Sequence, residues 1–208
     1  MRGELAEHLN EFITGVNQAI AQAKEDGVVA TPELARANLA KLAAFVTQVP
    51  KLAYAEESYV FADQMEIPVK VYSPAPEEEL PVLIYFHGGG HMCGSTELYD
   101  PMCRKIAIAA RCIVISVEYR LAPEFPYPAG INDCEDVVKG FHQVLKNVQY
   151  GNKVLIAGDS AGGAICTTLA IRAMTDKSLK IDKQILIYPS VDYTSSMPSV
   201  EENGTGFL

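Results

Sequence analysis

The chain has 208 residues, of which 49 % are hydrophobic and 21 % charged, and a formal net charge of −9. That length suits one domain, and so apolar a composition excludes global disorder. The acidic balance excludes nucleic acid as a partner, because binding phosphates needs clustered Lys and Arg.

The first residues, Met1-Arg2-Gly3-Glu4-Leu5-Ala6-Glu7, carry acids early and lack the apolar run of a signal peptide. No stretch approaches the roughly 18 apolar residues of a membrane span. Leu5, Leu9, Phe12, Ile13, Val16 and Ile20 recur at spacings of three and four, which predicts an amphipathic helix. A second helix is expected from Thr31-Pro32, with Thr as N-cap and Pro at the first helical position. Its apolar stripe runs through Leu39, Leu42, Phe45, Val46 and Val49, and Pro50 ends it. Both helices precede any strand, so residues 1–50 are expected to form a helical layer apart from a core at 51–208.

The hydrophobic period then changes to two. Residues 59–63 and 67–73 alternate as half-buried strands do, with Ile67, Val69 and Val71 on one face. Continuous apolar runs follow at 82–86, 112–117, 154–157 and 185–188, the pattern of parallel strands covered on both faces. Helices are expected between them, from Asp100-Pro101 to Ala110, from Asn132 to Lys146 and from Ser160 to Met174. Strand alternating with helix predicts an α/β fold with a mostly parallel sheet. The five cysteines (Cys93, Cys103, Cys112, Cys134, Cys166) are odd in number, scattered and without a C-x-x-C pair. They read as buried, reduced thiols of a cytoplasmic protein, with neither disulfides nor a metal site.

Two motifs stand at successive strand ends. Gly158-Asp159-Ser160-Ala161-Gly162-Gly163 fits G-x-S-x-G, follows an expected strand and opens an expected helix, which is the context of a nucleophile elbow. Its bland alternative is a glycine turn in which Ser160 only caps the helix. His87-Gly88-Gly89-Gly90 ends the strand at 82–86, and its glycines let backbone N–H groups approach an oxyanion unobstructed. A flexible turn is the bland alternative there. A phosphate loop is excluded, since neither G-x-x-x-x-G-K nor G-x-G-x-x-G occurs.

Together with Tyr119-Arg120-Leu121-Ala122-Pro123-Glu124 and Phe125-Pro126-Tyr127-Pro128-Ala129, these motifs resemble the signatures of hormone-sensitive-lipase-like carboxylesterases of the α/β-hydrolase superfamily. The resemblance implies a cofactor-free hydrolase of small-molecule esters with short or medium acyl chains. It makes Ser160 the nucleophile and gives the oxyanion hole to the glycines Gly88, Gly89 and Gly90 with Ala161. Within that set the N–H groups of Gly89, Gly90 and Ala161 donate and Gly88 supplies the turn. His87, Gly158, Asp159 and Gly162 support the two motifs, and the two N-terminal helices match the family's cap. Tyr119 to Glu124 read as structural, with Arg120 and Glu124 pairing together or with backbone.

A serine hydroxyl needs a base and an orienting acid, which in these hydrolases follow it in the order Asp or Glu, then His. The chain's four histidines, His8, His87, His91 and His142, all precede Ser160. His8 and His142 read as solvated, His87 as a brace of the oxyanion loop, and His91 as a pocket-lining residue. Asp192 lies in a family segment that does not carry the acid, and Asp182, Glu201 and Glu202 read as surface charges. The expectation is a C-terminally truncated esterase lacking its last two strands, inactive or very weak. The run at 185–188 is then an open sheet edge through which the chain self-associates. The alternative is a non-catalytic small-molecule binder on the same scaffold, as in plant gibberellin receptors.

Overall fold

The structure, a computed structural model, describes residues 4–46, 48–63 and 65–204. The chain forms two compact units, one of residues 1–31 with 192–208 and one of residues 32–191. In the smaller unit, a 3₁₀ turn at Glu7–Leu9 leads into α1 (Asn10–Glu25). A further short helix, which becomes α6 in chain order, spans Pro198–Asn203. The expected amphipathic helix therefore exists, with Ile13 its buried residue. Met1 to Gly3 and Thr205 to Leu208 lie outside the described residues.

The larger unit begins with α2 (Pro32–Ala40), and Pro32 is its first helical residue, as expected. The helix is shorter than its apolar stripe implied. It tightens into a 3₁₀ turn at Lys41–Phe45 and ends there, and Leu42, Phe45, Val46 and Val49 are exposed. Periodicity reports an apolar face, but a helix continues only where packing rewards it.

Six strands follow, β1 (Tyr54–Ala62), β2 (Met65–Ser73), β3 (Leu80–Phe86), β4 (Ile113–Val117), β5 (Tyr150–Asp159) and β6 (Lys183–Ile187). They form one sheet in the order β1-β2-β4-β3-β5-β6. The β1–β2 hairpin and the β2–β4 pair are antiparallel, and β4, β3, β5 and β6 run parallel. The first strand starts five residues before the alternation expected at residue 59, because polar residues such as Glu56 and Glu57 serve a half-exposed edge strand equally well.

The sheet is covered on both faces by α3 (Thr96–Ala110), α4 (Ala129–Gly140) and α5 (Ala161–Arg172). Val82, Ile84 and Phe86 of β3 point to the side where α4 and α5 bring Cys134, Val137, Ile165 and Leu169. Leu83 and Tyr85 point to the other side, against Cys103 and Ala107 of α3. Burial on both faces is what makes the central strands read as unbroken apolar runs. The third helix begins earlier than Asp100-Pro101 suggested. Ser95 caps it by accepting from the Leu98 N–H at 3.1 Å, and Pro101 sits inside.

All five cysteines are buried and unpaired with one another. Burial pushes the Cys112 thiol up to about 11 and those of Cys103 and Cys166 up to about 12, so each is protonated at neutral pH.

Candidate active site

The end of β5 turns into α5 at Ser160, which holds φ 51 and ψ −116. A non-glycine residue at positive φ costs free energy unless its surroundings hold it. Here the Ser160 N–H donates to the Ile187 carbonyl at 3.0 Å, and the Ser160 carbonyl accepts from Ala164 and Ser190. The Ser160 hydroxyl makes no capping bond to the helix, so the reading of this residue as a mere cap is excluded. Its oxygen lies 3.5 Å from the Ser190 hydroxyl.

The motif glycines are required by close approach. A Cβ on Gly162 would lie 1.9 Å from the Phe86 carbonyl oxygen, and one on Gly158 would lie 2.4 Å from the carbonyl carbon of Gly162. One on Gly163 would meet the Pro189 side chain at 2.7 Å. The helix therefore starts pressed against the end of β3, and that end carries the glycine loop.

In that loop Gly89 and Gly90 take φ 119 and 64. The Gly89 carbonyl accepts from the N–H groups of Met92 and Cys93, closing a tight turn, and a Cβ on Gly89 would lie 2.2 Å from the Cys93 carbonyl oxygen. Gly88 differs from its neighbours. Its N–H donates to Asp159 Oδ1 at 2.9 Å, so that donor is engaged and Gly88 serves the turn. The turn role expected for Gly88 is consistent with this engaged N–H, which leaves Gly89 and Gly90 as the glycines of the loop at positive φ.

Asp159 is the knot between the two motifs. It is 5 % exposed, and its carboxylate accepts from Tyr85 Oη at 2.8 Å, from the Gly88 N–H and from Tyr99 Oη at 2.9 Å. Burial and the carboxylate together push both tyrosine hydroxyls well above their ordinary range, so they remain donors.

His87 is fully buried, and desolvation lowers its pKa, which keeps the imidazole neutral. Its Nδ1 lies 2.8 Å from the Gly88 carbonyl, which only accepts, so Nδ1 carries the proton. The ring stacks on Tyr119 at 4.4 Å, and the Tyr119 hydroxyl donates to the His87 carbonyl at 2.7 Å. These contacts make His87 a brace of the loop backbone.

His91, at φ 60, lines a cleft of about 150 Å³ with Tyr119, Ala122, Phe125 and Tyr127. Burial, with a smaller effect from His87, lowers its pKa. His142 is exposed, as expected from its helix.

Of the two roles expected for Arg120 and Glu124, pairing together or bonding to backbone, the mutual pairing does not occur. The Arg120 guanidinium and backbone N–H both bind the carboxylate of buried Asp133 on α4. Glu124 instead accepts two bonds from Arg36 of α2, at 2.8 and 2.6 Å. Bidentate arginine pairs of this kind are set by tertiary geometry. Arg36 itself carried no sequence signal, and neither did Glu118, which holds the backbone and hydroxyl of Thr96.

A mostly parallel sheet with a serine on a strained strand-to-helix turn, tied to a glycine loop at the neighbouring strand end, defines the α/β-hydrolase architecture. A sequence model of the alpha/beta hydrolase fold matches residues 83–208. Carboxylesterase NlhH of Mycobacterium tuberculosis is 38 % identical over 180 residues, covering 86 % of this chain and 55 % of that protein. Esterase LipI of the same organism is 41 % identical over 141 residues, covering 66 % and 44 %. Among solved structures, an esterase of Pyrobaculum calidifontis superposes with a TM-score of 0.77 at 30 % identity, covering 90 % of this chain and 59 % of its own. The ester-hydrolase EH1AB1 from the metagenome of Lake Arreo gives 0.83 at 27 %, covering 98 % and 66 %. The chain thus belongs to the α/β-hydrolase family, in its hormone-sensitive-lipase-like branch of carboxylesterases. It spans about half the length of the curated relatives it matches. No described helix is long and apolar enough to cross a membrane.

Proposed function

We propose that this chain carries the nucleophile and the oxyanion donors of a serine hydrolase acting on small-molecule carboxylic esters with short or medium acyl chains. The observation that supports this best is the Ser160 elbow, held at positive φ and joined by Asp159 to the loop of Gly89 and Gly90. In the proposed reaction Ser160 Oγ attacks the ester carbonyl carbon while a base takes its proton. The N–H groups of Gly89, Gly90 and Ala161 receive the negative oxygen, the alcohol leaves with a proton, and water hydrolyses the acyl-enzyme. Residues 1–50 serve as the cap and residues 51–208 as the catalytic core. The reduced, protonated thiols suit a cytoplasmic setting.

No histidine follows Ser160 in these 208 residues, and His87 is engaged with Gly88. The 208 residues alone are therefore expected to hydrolyse esters about 10⁶-fold below a complete serine hydrolase. The test compares release of nitrophenol from 4-nitrophenyl butyrate by this chain and by this chain extended with the C-terminal part of NlhH. Turnover by the extended protein alone, abolished by Ser160→Ala, supports the reading. A folded extended protein without turnover, or turnover that survives Ser160→Ala, overturns it.

A further inference from the structure

No residue of α2 is fully buried, and Pro32, Ala35, Arg36 and Leu39 are half-buried. One attachment of the helix is Arg36, whose guanidinium reaches across the chain to two loops at once. Nε donates to the Met92 carbonyl at 2.8 Å, and Nη2 donates to the Ala122 carbonyl at 2.9 Å. Nη1 and Nη2 also grip the two carboxylate oxygens of Glu124 as a fork. The two loops are joined independently, since the Ala122 N–H donates to the His91 carbonyl at 2.9 Å. Met92 and Cys93 in turn donate to the Gly89 carbonyl. A continuous chain of hydrogen bonds therefore leads from α2 to the glycines at positive φ. Planar, bidentate charged pairs of this kind are among the strongest and most geometrically demanding polar contacts in proteins.

We propose that Arg36 is a positioning residue for the oxyanion loop: it fastens α2 to the loop of Gly89 and Gly90, so that release of the helix loosens those backbone donors. The proposal rests on the reading of Gly89 and Gly90 as oxyanion donors. It adds that their geometry is coupled to an element more than 50 residues earlier in the chain. Lysine cannot replace Arg36 here, because an ammonium presents no fork and cannot span a carboxylate and two carbonyls together.

Amide hydrogen exchange on the 208-residue chain tests this directly. In Arg36→Ala, the amides of Met92, Cys93 and Ala122 are expected to exchange at least ~10-fold faster, while those of β3 and β5 stay unchanged. Glu124→Gln, which keeps the shape and removes the charge, should accelerate the same three amides by a smaller factor. Arg36→Lys should resemble Arg36→Ala more than the parent. Acceleration confined to residues 32–46, with Met92, Cys93 and Ala122 unchanged in all three variants, overturns the proposal. Exchange reports on the loop without any turnover, so its result stands apart from that of the ester assay.

Discussion

Asp159 shows how much of the site a single carboxylate holds. It sits next to Ser160 in sequence, yet its three partners come from β3, the glycine loop and α3. Buried acceptors with several donors are costly to remove, because each donor is left without water or partner. Asp159→Ala is therefore expected to destabilise the chain by about 3 kcal/mol, since three buried or half-buried donors lose their acceptor. Asp159→Asn should cost only about 1 kcal/mol. Its single oxygen still serves Tyr85 and Gly88, and the new amide can donate to Tyr99 Oη, which accepts as well as it donates. Urea unfolding of both variants checks the order, and equal losses would show that charge, not connectivity, is what matters. The motif made Ser160, Gly158 and Gly162 legible in the sequence, because close approach permits glycine alone. It did not reveal that Gly88 spends its N–H on Asp159, since a backbone donor's partner leaves no trace in residue type.

Elements were legible in proportion to how fully they are buried. The central strands β3, β4 and β5 declare themselves as apolar runs because both faces are covered. The exposed stretches of β1 and α2 are mixed in polarity, and their boundaries shifted by several residues. The long-range Arg36 contact helps to seat α2, and no periodicity encodes such a contact. Its pH response follows from Glu124. The hydrogen-bonded fork to Arg36 holds this carboxylate down at about 2, against an ordinary value of 4.5. A carboxylate with a depressed folded pKa adds stability that is fully present above its unfolded pKa and is lost as pH falls through the folded one. The fork should therefore be intact at neutral pH, weaken from roughly pH 4.5 downward as its contribution declines, and be lost near pH 2. A carboxyl-detected NMR titration is expected to place Glu124 near 2 in the parent. In Arg36→Ala it should rise toward roughly 4.3, the value of a free glutamate, with a backbone hydrogen bond still holding it lower. A parent midpoint near that free value would mean that the fork does not persist in solution.

At the scale of the whole sheet, the two edges are finished differently. On β1 the Gln143 carboxamide accepts from the Phe61 N–H at 3.0 Å and donates to the Phe61 carbonyl at 3.1 Å, imitating a short neighbouring strand. At the other edge, β6 pairs among the described residues with β5 on one side only. Its side chains are exposed despite their character, Ile185 at 43 % and Leu186 at 37 %. A parallel strand of apolar residues with one free side is a template for another strand. The sequence pattern already pointed to this edge, because a run apolar on both faces demands cover that the described residues do not place there. We propose that the chain by itself associates through β6. Sedimentation velocity across a concentration series should show the parent growing in mass. Leu186→Lys should remain monomeric, since a charged side chain at an edge opposes pairing. The substituted position is already partly solvated, so the thermal midpoint of the monomer should not fall appreciably. Parent and variant sedimenting alike as monomers at every concentration would show that the open edge is tolerated in solution, and matching growth in both would place the contact elsewhere on the surface.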